Sequence, residues 1–416
     1  EKNMEICNHL SCTACGACKN VCSKSAISMR EDSEGFLYPY IDESSCVNCG
    51  LCQKVCPANK DTPVSAATFY MAWHKNDEVL QKSSSGGVFT ALADYVLARN
   101  GVVFGAVKNP DTQEVCHIMI NNVQDLDKLR LSKYYQSDTK NVYQQIRGLL
   151  MQDRFVLFSG TACQVAGLYS ALDKWKVNRE IIRGGASRRL ITADVLCHGC
   201  TSRKAVSCYI KAKEKQYKKT IKDYYFRVKT KNVGWQSGGG TRMKLEFSDG
   251  TYKVEDKASD TFFVGFNNYL FLRESCYQCK YCGTDRISDF TLADFWGVDS
   301  HEVPPKQMHL GVSVMCANTD MAKKMLPELS NSLYIEKIDS QKAIPYNLAF
   351  SQPGDRPKIR DSIFKRLENQ NFDSVVKHAC WKYYLKLDVK QTIKKCIGES
   401  RYKKMVSKIK VMVGKA

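Results

Sequence analysis

Two copies of one cysteine spacing lie near the start of the chain. Cys12, Cys15, Cys18 and Cys22 form C-x2-C-x2-C-x3-C, and Cys46, Cys49, Cys52 and Cys56 repeat it with Pro57 behind. Three thiolates spaced this closely wrap one corner of an iron-sulfur cube, while the fourth, held off by a longer gap, reaches the other cube of a pair. A structural zinc site would instead use two ligand pairs separated by a longer loop. The segment is therefore expected to wrap two 4Fe-4S clusters, and a chain built on it moves electrons.

The repeat extends past the sulfurs. CTACGACKNVC and CVNCGLCQKVC share Gly16 with Gly50 and Val21 with Val55 at matching places. The segment closely resembles the bacterial two-cluster ferredoxin module, an α+β fold. That resemblance implies crossed ligation, with Cys12, Cys15, Cys18 and Cys56 on one cluster and Cys46, Cys49, Cys52 and Cys22 on the other. Ser23 stands where such modules usually carry proline, which affects the turn and not the ligands.

The 416 residues suffice for two or three domains, and no run of about 18 apolar residues offers a membrane span. No charged stretch followed by an apolar one marks the opening as a secretion signal. Twenty cysteines in a secreted chain would suggest disulfides, but cluster ligation requires reduced sulfur, so the expected compartment is the cytoplasm, that of an anaerobe. The net charge of +19 gathers toward the end, where Lys382, Lys386, Lys390, Lys394 and Lys395 face only Asp388 and Glu399. Such a stretch is either a solvated helix face or a contact for an acidic partner or anionic membrane surface. Nucleic acid is not expected, because no recognition signature accompanies the charge.

Residues 1–60 read as the ferredoxin module and 60–65 as a short polar linker. From 68 to 350, apolar runs at 102–107 and 155–158 look like buried strands, and 88–99 and 142–151 have helical spacing, which together predict a mixed α/β domain. Residues 241–254 read as a hairpin turning at Ser248-Asp249-Gly250. The stretch 361–416 is predicted to be a basic helical extension.

Four segments of the large domain carry chemistry. Ser85, Gly86 and Gly87 lead into the helical stretch from Val88, where small residues let backbone N–H groups approach a phosphate or flavin; Ser85 is also readable as a plain helix cap. The strand at 155–158 opens into Ser159-Gly160-Thr161-Ala162-Cys163-Gln164, and ligands of α/β sheets collect at strand carboxyl ends. Asp194 to Gly199, containing Cys197 and His198, is a second strand end. Cys276, Cys279 and Cys282 precede Ser288-Asp289-Phe290-Thr291-Leu292-Ala293-Asp294-Phe295-Trp296-Gly297.

In this order and spacing SSGGVFTAL, SKYYQSD, VLFSGTACQVAGL, DVLCHG, SCYQC and SDFTLADFWG resemble the beta-subunit family of deazaflavin-coenzyme hydrogenases and dehydrogenases. The resemblance spans about 68–300, and the ferredoxin fusion carries it to the N-terminus. It implies a flavin, usually FAD, with FMN and a deazaflavin as alternatives, beside a third 4Fe-4S cluster on Cys163, Cys197, Cys276 and Cys279. Spacing alone supplies a rival, because Cys276, Cys279 and Cys282 repeat the ferredoxin interval and offer Cys282 as fourth ligand. Lys133, Thr161 and Gln164 are candidate flavin contacts. His198 is a candidate proton donor, or a hydrogen-bond partner behind a cluster ligand. Cys7, Cys116, Cys208, Cys316, Cys380 and Cys396 read as ordinary thiols.

The expected function is a ferredoxin-fused, flavin-dependent iron-sulfur oxidoreductase. Clusters carry single electrons and a flavin one or two, so a chain holding both converts between them. Expected partners are ferredoxin or another low-potential donor and a small organic or sugar substrate, with surface polysaccharide biosynthesis as the setting suggested by bacterial relatives. The alternative is a non-catalytic electron-transfer subunit of a larger hydrogenase or dehydrogenase complex.

Overall fold

Val156, Leu157, Phe158, Leu190 and Ala193 are sealed from solvent, as in strands covered on both faces. They lie in an eight-stranded mixed sheet of a computed structural model that describes residues 5–61, 63–184, 187–235, 242–398 and 401. Its strands run in the order Leu333–Lys337, Thr68–His74, Ser313–Ala317, Phe290–Asp294, Leu190–Val195, Val156–Thr161, Val102–Lys108, Val115–Ile120. The four from Phe290–Asp294 to Val102–Lys108 are parallel, and the strands outside them pair antiparallel. Helices Val88–Leu97 and Asp320–Leu329 contribute to the apolar core on one face, Val142–Met151 and Ala162–Lys174 to that on the other. The parallel strands therefore share a carboxyl edge at which their following loops meet.

The N-terminal segment contains two short helices, Ala17–Val21 and Leu51–Val55, and the antiparallel hairpin Ile27–Glu31 with Leu37–Ile41. Both helices start from a left-handed glycine, Gly16 at φ 81° and Gly50 at φ 68°, which is why the repeat shares these positions. The segment is fused to the large domain by packing as well as by chain. Ala17, Val21 and Val55 share a core with Tyr143, Val165 and Leu168. The Tyr143 hydroxyl donates to the Cys15 carbonyl at 2.6 Å, and Ser170 Oγ to the Val55 carbonyl at 2.6 Å.

Helix Val142–Met151 has the predicted limits, and the predicted helix at 88–99 is found as Val88–Leu97. Lys244–Phe247 and Tyr252–Val254 form the expected hairpin, with Thr241 outside the described residues. Past residue 360 the packing divides what composition joined. Helices Arg360–Leu367 and Phe372–Ala379 bury Ile363, Phe364, Phe372 and Val376 in the body, while Trp381–Ile397 has no fully buried residue and only half-buries Tyr384 against it. Residues 402–416 lie outside the described residues. Among those described, no helix is long and apolar enough to cross a membrane.

Candidate functional site

Cysteine order in the sequence becomes sulfur neighbourhood through the short helices of the N-terminal segment. Cys12, Cys15, Cys18 and Cys56 are all buried. Burial pushes the Cys15 and Cys18 thiols up, and the charges of Cys18 and Cys56 reinforce it at Cys15, those of Cys12 and Cys56 at Cys18. Cys22 packs in one small apolar cluster with Cys18, Cys52 and Cys56, and Cys52 senses Cys49 and Cys46. Cys49 is the exposed member, so the second group faces solvent while the first lies against the large domain.

Cys7, read from the sequence as an ordinary thiol, belongs to the first group. It hydrogen-bonds to Cys12 and Cys56, which holds those two thiols below the usual range and its own above it. No ligand spacing marks Cys7; the strap carrying it is tied down when Gln53 donates to the Glu5 carbonyl and Asn59 to the Ile6 carbonyl, both at 2.8 Å.

The loops at the carboxyl edge of the sheet enclose a cavity of about 590 Å³, within the range of cofactor sites. Cys163, Cys197, Cys200, Cys276, Cys279 and Cys282 all line it. Burial raises Cys163 to about 11 and Cys200 to about 12 and pushes Cys197 and Cys276 up, and neighbouring thiols add like charge at each of the four. Arg273 opposes the rise at Cys163 and Cys200. Cys163 senses Cys279, Cys197 senses Cys163, Cys200 and Cys279, Cys276 senses Cys200, Cys197 and Cys279, and Cys200 senses Cys163, so the four expected ligands and Cys200 lie in one group. A crowded nest of buried thiols is unfavourable as free thiolates, and iron supplies the positive charge that holds them ionised. The residues present therefore fit a cluster.

Cys282 adjoins this group through Cys279. It hydrogen-bonds to Cys279, lowering the Cys279 thiol to about 7 and raising its own. Cys200 was missed by sequence reasoning, although Cys197-His198-Gly199-Cys200 repeats the two-residue interval and offered the signal. Its backbone N–H points at Cys276 Sγ from 3.3 Å.

The motif carboxylates hold these loops in place. Asp194 pairs with Arg286 at 2.7 Å, both sealed from solvent, and Arg286 Nη1 reaches the Tyr281 carbonyl between Cys279 and Cys282 at 2.6 Å. Asp289 pairs with Arg188 and accepts from the Thr192 backbone N–H at 2.9 Å. Asp294 grips Arg227 through both carboxylate oxygens, at 2.6 and 2.8 Å, and accepts from Trp235 Nε1 at 2.8 Å. Arg227, which no sequence motif announced, also reaches the Ser84 carbonyl at 2.9 Å on the cavity wall.

The expected flavin contacts divide. Ser85 does not cap the helix: its Oγ donates to the Val312 carbonyl at 3.0 Å, Gly86 N–H donates to Ser313 Oγ at 2.9 Å, and Gly87 is the cap residue. No side chain caps Val88–Leu97, whose first residues Val88 and Phe89 line the cavity with Gly87, and Arg130 is held beside them by Thr90 at 3.2 Å. Thr161 and Gln164 form a capping box instead, and Gln164 Nε2 is committed to the Ser137 carbonyl at 2.9 Å. Lys133 lines the cavity, but its ammonium rests on the carbonyls of Lys128, Leu129 and Arg130, and burial lowers it to about 7.

His198 stacks on Tyr269 with ring centroids 4.5 Å apart and interplanar angle 16°. Burial lowers it to about 4, and one ring nitrogen bonds the Phe266 carbonyl. Nε2 is buried without a partner among the described residues. With one nitrogen donating to Phe266, the lowered ring presents its free nitrogen as an acceptor.

Three family models match the chain. The first is a "4Fe-4S dicluster domain" over residues 11–60. The other two describe the N-terminal and C-terminal parts of the beta subunit of coenzyme F420 hydrogenase/dehydrogenase, over 69–144 and 153–342 respectively. Among solved structures, a chain of the F420-reducing NiFe hydrogenase complex from Methanosarcina barkeri is similar at 15% identity, covering 79% of this chain and 94% of that one with a TM-score of 0.43. No curated protein matches.

Proposed function

The chain belongs to the coenzyme F420 hydrogenase/dehydrogenase beta-subunit family, with a 4Fe-4S dicluster domain ahead of it, and from that premise we propose a flavin-dependent iron-sulfur oxidoreductase with its electron input built in. The family and the dicluster domain make it an iron-sulfur electron-transfer protein. Three clusters and an FAD are the further reading.

The observation that carries it is the composition of the cavity wall. One part is thiols; the other is a helix start without a side-chain cap, with Arg130 beside it, a donor set that suits an anionic pyrophosphate. Cys163, Cys197, Cys276 and Cys279 would hold the inner cluster. The N–H groups at Gly87 and Val88 would receive phosphate, and His198 Nε2 would accept a hydrogen bond from the ring system or the substrate. A bound flavin supplies the exchange between single electrons and a hydride pair.

Exposure supports the following order of flow. Electrons from a ferredoxin-like donor enter at the Cys46 and Cys49 edge and pass to the buried Cys12, Cys15, Cys18 and Cys56 group. They continue from Cys15 to Cys163, whose charge Cys15 senses and which the Thr13 hydroxyl also bonds. The site then hands a pair to an organic acceptor.

The test is extraction of the non-covalent cofactors from anaerobically purified protein, with mass analysis and iron determination. FAD with about twelve iron atoms per chain, three cubes of four, is the expected result. Complete iron without any flavin would leave only the electron-relay subunit.

A further inference from the structure

Arg273 is 1% exposed and forms no ion pair with any carboxylate among the described residues. The acids around it are taken: Glu34 pairs with Arg360 at 2.7 Å, and Glu274 with Arg356 and Arg360 at 2.8 Å each. The guanidinium gives Nη1 to the Cys12 carbonyl at 3.2 Å and Nη2 to the Leu37 carbonyl at 2.7 Å, leaving Nε buried and unpartnered. Its ring neighbours are Tyr38 and Phe36, at 4.6 and 5.2 Å. A guanidinium cannot shed its charge to escape such a site, and an unpaired buried charge is strongly unfavourable. Something anionic must therefore face it in the working protein.

Three cysteines do. The Arg273 side chain holds the Cys12 carbonyl, its backbone N–H donates to the Cys200 carbonyl at 3.0 Å, and its own carbonyl accepts from the Cys276 N–H at 3.0 Å. Its charge favours the thiolate of Cys12, and opposes the burial that raises Cys163 and Cys200. One fixed cation thus stands between the first thiol group of the dicluster segment and the thiol nest of the cavity.

We infer that Arg273 is a positioning and potential-setting residue whose counter-charge is the pair of clusters on either side of it, and that it makes both easier to reduce. The inference rests on the cluster reading above. Each site gains one electron from the donor, no bond forms or breaks, and the added negative charge develops beside a cation already in place, where low dielectric makes the attraction large. The solvent-facing group of Cys22, Cys46, Cys49 and Cys52 makes none of these contacts and is an internal reference.

The experiment uses full-length protein with its clusters, titrated anaerobically against redox mediators and followed by electron paramagnetic resonance. In Arg273→Gln the one-electron reduction equilibrium of the two facing clusters should fall by about tenfold, a downward shift of about 59 mV, with the solvent-facing cluster unmoved. Unchanged potentials in a fully loaded Arg273→Gln protein overturn the inference. If Arg273→Gln fails to assemble the two facing clusters, Arg273→Lys decides: restored iron and wild-type potentials support the charge, and failure of Lys as well means that the planar fork and not the charge is required, which overturns it. A wild-type protein lacking the inner cluster would count against the cluster reading itself, and is told apart by its iron content before any variant is made.

Discussion

Cys15 and Gly167 touch across the boundary between the dicluster segment and the large domain: a Cβ on Gly167 would lie 2.9 Å from both Cβ and Sγ of Cys15 and 3.1 Å from the Tyr143 hydroxyl. Gly167 sits in helix Ala162–Lys174, about one turn past the cavity thiol Cys163, so one helix serves both sulfur groups. The close approach is what a short electron step between them needs.

Gly167→Ala should therefore destabilise the protein although alanine is the better helix former by about 1 kcal/mol. Overpacking of a filled contact costs about 1–3 kcal/mol and here presses on Cys15, a ligand in the proposed cluster set. The expected outcome is a lower unfolding midpoint in denaturant and loss of iron from the Cys12, Cys15, Cys18 and Cys56 group. An alanine variant more stable than wild type, with full iron, would contradict the contact.

The inner thiols are separable one by one. Cys163→Ser should remove the inner cluster, lowering iron by about four atoms per chain. Cys282→Ser and Cys200→Ser should retain it, since neither belongs to the ligand set that the family resemblance implies. Loss on Cys282→Ser with retention in Cys163→Ser reverses the assignment of the fourth ligand.

Asp294→Asn leaves the Arg227 guanidinium buried without its bidentate partner, the kind of change that costs roughly 3–5 kcal/mol. Because Arg227 also holds the Ser84 carbonyl on the cavity wall, cofactor retention should fall together with the denaturant midpoint. Arg227→Lys should show the same two losses, because an ammonium cannot span both carboxylate oxygens. Wild-type midpoint and cofactor content in Asp294→Asn would show the pair to be incidental.

Asp260 supplies a pH test of stability. Burial raises its carboxyl from 3.8 to about 6, while it caps helix Thr261–Asn267 through the Phe263 N–H and accepts from Tyr209. A raised folded-state value means the native state holds its proton more tightly than the unfolded chain. Its contribution is full below pH about 4 and is lost as pH rises through about 6. Asp260→Asn keeps the capping oxygen and removes the titration. The variant's stability relative to wild type should therefore climb between pH 4 and 6 and level off above, as read from denaturant midpoints at several pH values. A difference that stays flat across this window would place the carboxyl's titration elsewhere.

Much of this was legible in the chain because ligand spacing and strand periodicity are local. The x2 interval presents Cys12, Cys15 and Cys18 together, and the apolar run at 155–158 has the length and composition of a buried strand. The functional arginines were not legible, since Arg227 and Arg273 owe their places to Asp294 and to the thiol groups, partners 67 residues away in the first case. Cys7 was hidden for the same reason: the strap that seats it is held by Gln53 and Asn59. The polar stretch at 60–65 suggested a detachable module, yet the module's helices share a core with Tyr143 and Val165. Linker composition reports the chain's path and says nothing of the surfaces that meet across it.

That shared core decides how the electron route should be tested. Removing residues 1–60 would strip apolar cover from helices Val142–Met151 and Ala162–Lys174 and confound folding with wiring. Substituting Cys46 and Cys49 by serine leaves the packing intact, because both lie toward solvent, Cys49 fully so. The double variant should lose about four iron atoms per chain. It should keep its remaining cofactors, and still be reduced by dithionite, a small reductant that need not use the module's outer edge. Reduced ferredoxin, which docks from outside, should transfer to it at least about tenfold more slowly than to wild type, the effect expected when a positioned donor is lost. Stopped-flow reduction by ferredoxin compares the two proteins directly. Equal rates, with the solvent-facing cluster shown by its spectrum to be absent, would mean that electrons enter elsewhere and that the order of burial from Cys49 through Cys15 to Cys163 is not the order of transfer.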